Sequence, residues 1–559
     1  MAEQAPRDIA AGCTPYPPPL VQDYRRSGLW GNDTISQQLL RVARTHPDQP
    51  AVISAEGTMS FAGLNRRTDQ LAVGLRSLGL EPHDRVLLQV GNQLSTVLAW
   101  YGLLKAGLIP VCTLDAHGGH EIGEISRRVG AVGHLVDAGS QRRDLVTFAR
   151  AQQDGHPTLR QIITLGADGL DLPAVEDLGS DIDAADAAEE VAAIQRTLDP
   201  DGVAVLQLSG GTTGTPKVIP RLHAEYWYNA EAYARAWNWG RGSRVGHMIP
   251  LVHNAGITCA LHAAHSVGAA LVLATPVLDQ ALPLLARAGT TDVLLGHGHW
   301  SAVEHPAFAP LTRSLRRVIL SGAKVPPGLT KRLEEADIWF GQLFGMGEGL
   351  FTITPLEAPP AARASTVGVP LSPRDEVVLL EPAGDRPVPD GEVGELCCRG
   401  PYTIRGYYDA AEHNTAAFTT DGYYRTGDLA AWRTIEGTSH LSIEGRIKDL
   451  VNRGGEKVNV AEVEGLLVDH PRVREAAVVS MPDARLGERA CAYLVTDGQP
   501  VDLQDVQAHF RRLDVAKFKW PERIELVDAL PRTLVGKVDK RRLRDDITSK
   551  LTTTTESPA

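Results

Sequence analysis

Short apolar runs punctuate the first two thirds of the chain, and stretches with helical amphipathic spacing lie between them. Ala51-Val52-Ile53, Arg85 to Val90, Leu108 to Cys112, Val203 to Leu208, Val245 to Pro250, Ala270 to Ala274 and Val318 to Ser321 read as strands. Segments between Ile35 and Gly79, and Ser95 to Ala106, read as helices. This alternation predicts an α/β chain whose parallel sheets are covered by helices. Residues 1–30 are Pro-rich and are expected to wrap irregularly over the surface, and the acidic, Ala-rich stretch Asp181 to Glu190 to form a solvated helix or a linker. After Gly368 the helices thin out. Runs such as Glu376 to Leu380 and Gly394 to Arg399, separated by Gly/Asp turns, predict a small β-barrel or a distorted sheet. The expected division is a core over 1–446, a compact α+β unit over 447–545 and a disordered tail over 546–559.

Composition narrows the function. At 559 residues the chain exceeds one hydrophobic core, so two or more domains are expected. A net charge of −12 argues against a nucleic-acid binder. Cys13, Cys112, Cys259, Cys397, Cys398 and Cys491 form no CxxC or Cys/His spacing, which points away from zinc and from a disulfide framework. No signal peptide and no apolar run of about 18 residues is seen, so no membrane span is expected and the expected location is cytoplasmic.

The densest chemical signal is Ser209-Gly-Gly-Thr-Thr-Gly-Thr-Pro-Lys217, placed directly after the strand Val203 to Leu208. Glycines let the backbone turn close to a ligand, while N–H groups, Thr hydroxyls and a Lys can surround phosphate oxygens. The run is not a Walker loop, because Lys217 sits between Pro216 and Val218. In Gly341 to Gly349, Phe344 can stack on a flat base and Glu348 can ligate Mg²⁺ directly or through water. Asp428, just after a tight turn, can accept two ribose hydroxyls. Lys537 follows a Gly turn and can span a carboxylate and a phosphate.

Together, and in this order, these motifs resemble those of the adenylate-forming enzymes: acyl-CoA synthetases, luciferases and peptide-synthetase adenylation domains. The resemblance implies a large N-terminal domain of two packed parallel αβ sheets plus a small β-barrel, then a small mobile α+β C-terminal domain. It implies that Ser209, Gly210, Gly211, Thr212, Thr213, Gly214 and Lys217 hold the phosphates of ATP, with Thr213 and Glu348 at Mg²⁺. Gly322, Ala323 and Lys324 would form one side of the adenine slot, and Phe344, Gly345 and Met346 the other. Asp428 would bind the ribose, and Arg446 the ribose or the α-phosphate. Lys448 resembles the interdomain hinge. The loop Asn452-Arg-Gly454-Gly455-Glu-Lys457 resembles the segment that enters the site for the second half-reaction, and Lys537 the catalytic lysine of the first.

The segment Pro250-Leu-Val-His253-Asn254-Ala255-Gly-Ile-Thr-Cys259 bears on which acid is activated. Amino-acid-activating relatives carry an Asp near Asn254 to pair with an ammonium. A neutral Asn would leave that ammonium unpaired, which is strongly unfavourable in a buried pocket. The segment resembles the stand-alone aryl-acid ligases, where this Asn meets an ortho substituent. His253, Asn254, Ala255, Cys259, Ser321, Gly322, Leu343 and Phe351 are the implied acid-binding residues, and His253, which borders the aryl pocket as its gate, is counted with Lys537 and Glu348 among the implied catalytic residues. A Cys at 259 leans toward salicylate and away from 2,3-dihydroxybenzoate. Ala255 and Phe351 depart from the family's usual Tyr and Val, which keeps 3-hydroxypicolinate, a hydroxyanthranilate and a bicyclic aryl acid open. The implied partner is the phosphopantetheine of an aryl carrier protein, with CoA as the alternative acceptor, and the implied assembly a monomer or homodimer. A catalytically silent nucleotide-binding or carrier-docking protein is the alternative of another class.

Overall fold

The computed structural model describes residues 9–166, 170–209, 216–382, 384–453, 456–483, 485–513, 515–533 and 536–555; of Asn452, Glu456, Lys457 and 552–555 it describes the backbone only. Two compact units emerge: Met1–Glu376 with Cys398–Tyr424, and Val377–Cys397 with Arg425–Ala559.

In the first unit, the described residues form a six-stranded and a nine-stranded sheet. The smaller runs in the order Gln161–Leu165, Gly133–Asp137, Arg85–Gln89, Ile109–Val111, Val203–Leu208 and Val218–Leu222. Its strands are parallel except the last pair, an antiparallel hairpin. The Gly/Thr-rich run is therefore the connection of a hairpin. In the larger sheet, Arg244–His247, Asp292–Gly296, Arg317–Ser321 and Trp339–Met346 pair in parallel, and Gly349–Ile353 returns antiparallel on the last of them.

One apolar cluster joins residues of both sheets to the helices Phe61–Ser77, Leu94–Lys105 and His223–Ala236. The helix Leu94–Lys105 is buried from Thr96 to its end, as expected of a helix apolar on all sides. Its one charge, Lys105, is buried against Asp69 (2.7 Å) and the Asn65 carbonyl (2.9 Å). The acidic stretch near 181 is the solvated helix of the two expectations, not the linker. It forms the helix Ala184–Gln195, which buries Ala187, Val191 and Gln195, and the Gln195 amide donates to the Leu104 and Lys105 carbonyls at 3.0 and 2.9 Å. A helix end thereby gains partners for carbonyls it cannot satisfy itself. Residues 9–30 are more regular than expected. A helix spans Pro18–Arg26, and Tyr16, Tyr24 and Trp30 are buried together, with Tyr16 donating to the Thr403 carbonyl (2.6 Å) and Trp30 to that of Pro401 (2.9 Å).

In the second unit, Glu376–Leu380, Gly394–Arg399, Tyr424–Ile435 and Thr438–Arg446 form a four-stranded sheet, its chain crossing between the units at each of the first three strands. Among the described residues these four strands run as an open path, the distorted sheet of the two expectations. A second sheet has Gly487–Thr496 between Val473–Asp483 on one side and Leu450–Arg453 with Arg523–Leu526 on the other. Alternation along the long strands covers both faces: Val478, Ala490, Ala492 and Leu494 face one core, Ala477, Val479, Cys491, Tyr493 and Val495 the other. The expectation of a disordered tail from residue 546 is corrected. The helix Lys540–Thr555 buries Leu543 and Ile547 on this sheet, and Tyr493 donates to Asp546 at 2.6 Å. Residues 556–559 lie outside the described residues. Among those described, no helix is long and apolar enough to cross a membrane.

Candidate active site

The hairpin positions the two described ends of the Gly/Thr run. Ser209 N–H donates to the Lys217 carbonyl (2.9 Å), and Lys217 N–H donates to the Ser209 hydroxyl (3.0 Å), closing the neck of the connection. Gly210, Gly211, Thr212, Thr213 and Gly214 lie outside the described residues. The Lys217 ammonium stands over the Tyr407 ring, 5.1 Å from its centroid. The Tyr407 hydroxyl donates to Glu348 Oε1 at 2.6 Å and lies 2.8 Å from the Tyr424 hydroxyl. Burial, then the Glu348 charge, pushes the Tyr407 phenol far up, so it acts as a donor. The expected phosphate-binding lysine and metal-binding carboxylate thus meet on one tyrosine. Sequence reasoning gave Tyr407 no role of its own, although the run Arg399 to Tyr408 that holds it is one of the stretches resembling the aryl-acid ligases.

Glu348 sits at the turn between Trp339–Met346 and Gly349–Ile353. Gly349 there has φ of 134° and lies against Thr403, so a Cβ would strain the backbone and clash. In the same turn, Gly345 pairs across the strands with Phe351, whose ring occupies the space a Cβ on Gly345 would need. Ser321 ends its strand in register with Leu343, and Gly322, Ala323 and Lys324 follow as an exposed turn. Gly322 adopts φ of 102° beside His297. Phe344, Gly345 and Met346 retain partial exposure, while Leu343 and Phe351 are buried.

Asn254 is tied into a buried polar cluster. Its Oδ1 accepts from the Tyr226 hydroxyl (2.9 Å) and Arg221 Nη1 (3.4 Å), and its Nδ2 donates to the Met346 carbonyl (3.4 Å). Arg221 is wholly buried, bonded to Glu225 through Nε (2.9 Å) and Nη2 (2.7 Å) and to the Gly347 carbonyl through Nη1 (2.8 Å). Burial alone would lower the guanidinium pKa, but Glu225 reverses this and holds it above its usual value. The signal was there: Arg221 and Glu225 are the two charges in the otherwise apolar and aromatic run Val218 to Tyr228.

His253 caps the short helix Asn254–Gly256 through Nδ1, which accepts from Ala255 N–H at 3.3 Å. The helix continues through a π-turn, Ile257–Leu261, into His262–Ser266. Thr258 donates back to the Asn254 carbonyl (2.7 Å). Cys259 lies in the π-turn, its thiol pushed up to about 12 by burial, which removes it as a nucleophile. Cys259, Leu343, Phe351 and the half-buried Ala255 belong to one apolar cluster with Tyr233.

The remaining expected residues belong to the second unit. Asp428 is buried and in register with Arg446, which donates to it through Nε at 2.6 Å. Burial pushes the Asp428 carboxyl up, while Arg446, Lys537 and Lys448 pull it down. Three expected cationic residues therefore act on one carboxylate. Lys457 lies in the strand Glu456–Asn459, its side chain outside the described residues, as are Gly454 and Gly455. Lys540 pairs with Glu464 at 2.8 Å. No cluster of three or more His, Cys, Asp or Glu suited to a metal occurs among the described residues.

The AMP-binding enzyme model matches residues 39–408, and the AMP-binding enzyme C-terminal domain model matches 462–537. A salicylyl-CoA synthase / salicylate adenylyltransferase of a Streptomyces species is 36% identical, covering 96% of this chain and 98% of its own. The 2,3-dihydroxybenzoate-AMP ligase of Bacillus subtilis (strain 168) is 35% identical, covering 97% and 98%. The apo structure of Mycobacterium smegmatis MbtA superposes with a TM-score of 0.72 at 34% identity, over 96% of this chain and 99% of that one. With both family models matched in order and relatives aligned end to end, this chain belongs to the AMP-binding enzyme family.

Proposed function

We propose that this chain is an aryl-acid–AMP ligase. An aryl carboxylate attacks the α-phosphate of ATP, pyrophosphate leaves, and the aryl adenylate forms. The phosphopantetheine thiol of an aryl carrier protein then attacks the acyl carbon, AMP leaves, and the thioester starts a nonribosomal peptide or siderophore. One observation carries this reading: the turn 345–348 bears Glu348, which shares Tyr407 with Lys217, and is bonded on its other side to Asn254. The triphosphate end and the acid end are thereby neighbours on one short segment. Two relatives whose names specify acids with an ortho hydroxyl, salicylate and 2,3-dihydroxybenzoate, support the substrate class.

In this reading Ser209 and Lys217, with the run between them, hold the leaving phosphates. Glu348, a hard oxygen donor set by Tyr407, suits Mg²⁺, which would neutralise phosphate charge. Lys537 stabilises charge as the carboxylate attacks phosphorus. Asp428 and Arg446 hold the ribose, and His253, Asn254, Cys259 and Phe351 shape the acid pocket. A core over 1–446 and a domain over 447–545 turning about Lys448 would exchange Lys537 for the Lys457 loop between the half-reactions. A closed site protects the mixed anhydride from water.

ATP–pyrophosphate exchange across salicylate, 2,3-dihydroxybenzoate, 3-hydroxypicolinate, anthranilates and bicyclic acids tests this, with amino acids as controls. Exchange confined to aryl acids is the expected result, and exchange confined to amino acids refutes it. The Streptomyces relative, named as a salicylyl-CoA synthase, favours a second acceptor, CoA. Thioester formation on holo carrier protein against CoA separates the two.

A further inference from the structure

We propose that Arg221 is a positioning residue that fixes Asn254 as a hydrogen-bond donor, so that the pocket selects acids bearing a hydrogen-bond acceptor ortho to the carboxylate. The proposal rests on the aryl-acid reading above and sharpens it from a ring class to a substituent polarity.

An Asn side chain can present either its carbonyl or its amide nitrogen to a ligand, and its neighbours decide which. Here three constraints agree. The guanidinium of Arg221 has only donors, so the Asn254 atom facing it must be oxygen. Arg221 cannot swing away, because Glu225 takes two of its nitrogens and the Gly347 carbonyl engages Nη1. The second constraint begins at a backbone carbonyl. Val252 can only accept, so the Gln207 atom 3.3 Å from it is Nε2, which also donates to the Tyr226 hydroxyl at 3.0 Å. That leaves the Tyr226 proton for Asn254 Oδ1 at 2.9 Å. The third is the Met346 carbonyl, another pure acceptor, facing Asn254 Nδ2 at 3.4 Å.

Turning the amide over would set N–H groups against a guanidinium and against a hydroxyl whose proton is already directed at them. Each buried donor would then lose its acceptor. Asn254 therefore offers N–H toward the acid. A phenolic oxygen or a ring nitrogen ortho to the carboxylate accepts from it. An aniline nitrogen, whose lone pair is delocalised into the ring, does so poorly, and an ammonium not at all. The same guanidinium bond to Gly347 ties this choice to the residue that precedes Glu348, so ring placement and metal-carboxylate placement share one support.

The test measures kcat/KM for ATP–pyrophosphate exchange by the full chain with matched acids: salicylate, anthranilate and benzoate, and 2,3-dihydroxybenzoate against 3-hydroxyanthranilate. Whichever ring is preferred, the ortho-hydroxyl acid should exceed its ortho-amino partner by roughly tenfold or more. Equal or better use of the amino partner overturns the proposal while leaving the aryl-acid reading intact. Silence with every aryl acid overturns both. Tyr226→Phe keeps the ring on which Arg221 stacks at 4.4 Å but removes one of the two donors, and Arg221→Lys keeps the charge with fewer donors. Both should lower the hydroxyl-to-amino ratio several-fold, Tyr226→Phe with the smaller loss of folding stability. An unchanged ratio in Tyr226→Phe, which does not strand the Glu225 charge, overturns the positioning role even if Arg221→Lys fails to fold.

Discussion

The two units each carry an arginine–carboxylate pair, and the pairs are built oppositely. In the first unit the Arg221 and Glu225 side chains are 0% and 2% exposed, and every nitrogen of Arg221 has a partner in the protein. In the second, Asp428 is 6% exposed but Arg446 is 46% exposed. A buried pair repays its desolvation only while both members remain, so it serves as permanent scaffolding. A half-exposed pair contributes little to stability and can exchange partners with a ligand. The proposed acid pocket is thus shaped before substrate arrives, whereas the proposed ribose carboxylate is held by a cation that a nucleotide can recruit.

The largest expected effect breaks the scaffolding pair. Arg221→Met leaves Glu225 charged, buried and unpaired, and should cost about 3–5 kcal/mol of folding stability in denaturant titration. A loss below about 1 kcal/mol would remove the contrast between the pairs. Next, Lys537→Ala should slow adenylation by about 10²–10³-fold while sparing thioester formation from supplied aryl adenylate. Equal losses in both steps refute that role.

Arg446→Met sharpens the other side of the comparison. It should change stability by about 1 kcal/mol or less and act instead on nucleotide binding. Burial already raises the Asp428 carboxyl, and Arg446 is one of the cations that lowers it, so removing Arg446 raises it further. Binding that requires the carboxylate is lost as pH falls, and in the variant that loss should begin at a higher pH. ATP affinity measured against pH reads this directly; an unmoved acid limb separates Arg446 from Asp428. The smallest effect is expected from Cys259→Ser, which should improve use of 2,3-dihydroxybenzoate over salicylate by a few-fold, since a hydroxyl partners a 3-hydroxyl better than a thiol does.

Much of the frame was legible because periodicity reports burial. Val203 to Leu208 forms a strand over the residues read from its apolar run, and Leu94–Lys105 a helix within one residue of its pattern. Pairing was not legible. Nothing local says that Lys105 meets Asp69, or that Arg221 meets Asn254, because those partners are set by topology. The tail was misread for a different reason. Its composition is polar, but Leu543, Ile547 and Leu551 recur every four residues, the stripe of a helix with one face to bury. At the site, the order of the motifs was readable, whereas Tyr407 and Tyr226 were not, since their role lies in hydroxyl protons rather than in any spacing.

The π-turn at Ile257–Leu261 sets an angular phase. Downstream, the helix is locked: Trp100 donates to His262 Nε2 at 2.9 Å, and His265 bridges Tyr101 (2.8 Å) and the Ala51 carbonyl (3.0 Å). Upstream, it carries Asn254. A π-turn accommodates one residue more than an α-turn, and each residue of an α-helix advances the face by about 100°. Deleting a single residue from 257–261 would therefore rotate Asn254 and Ala255 out of their present bearing while leaving the histidine anchors in place. With Asn254 and Ala255 in the proposed acid pocket, changing the acid becomes a matter of helical indexing as much as of side-chain choice.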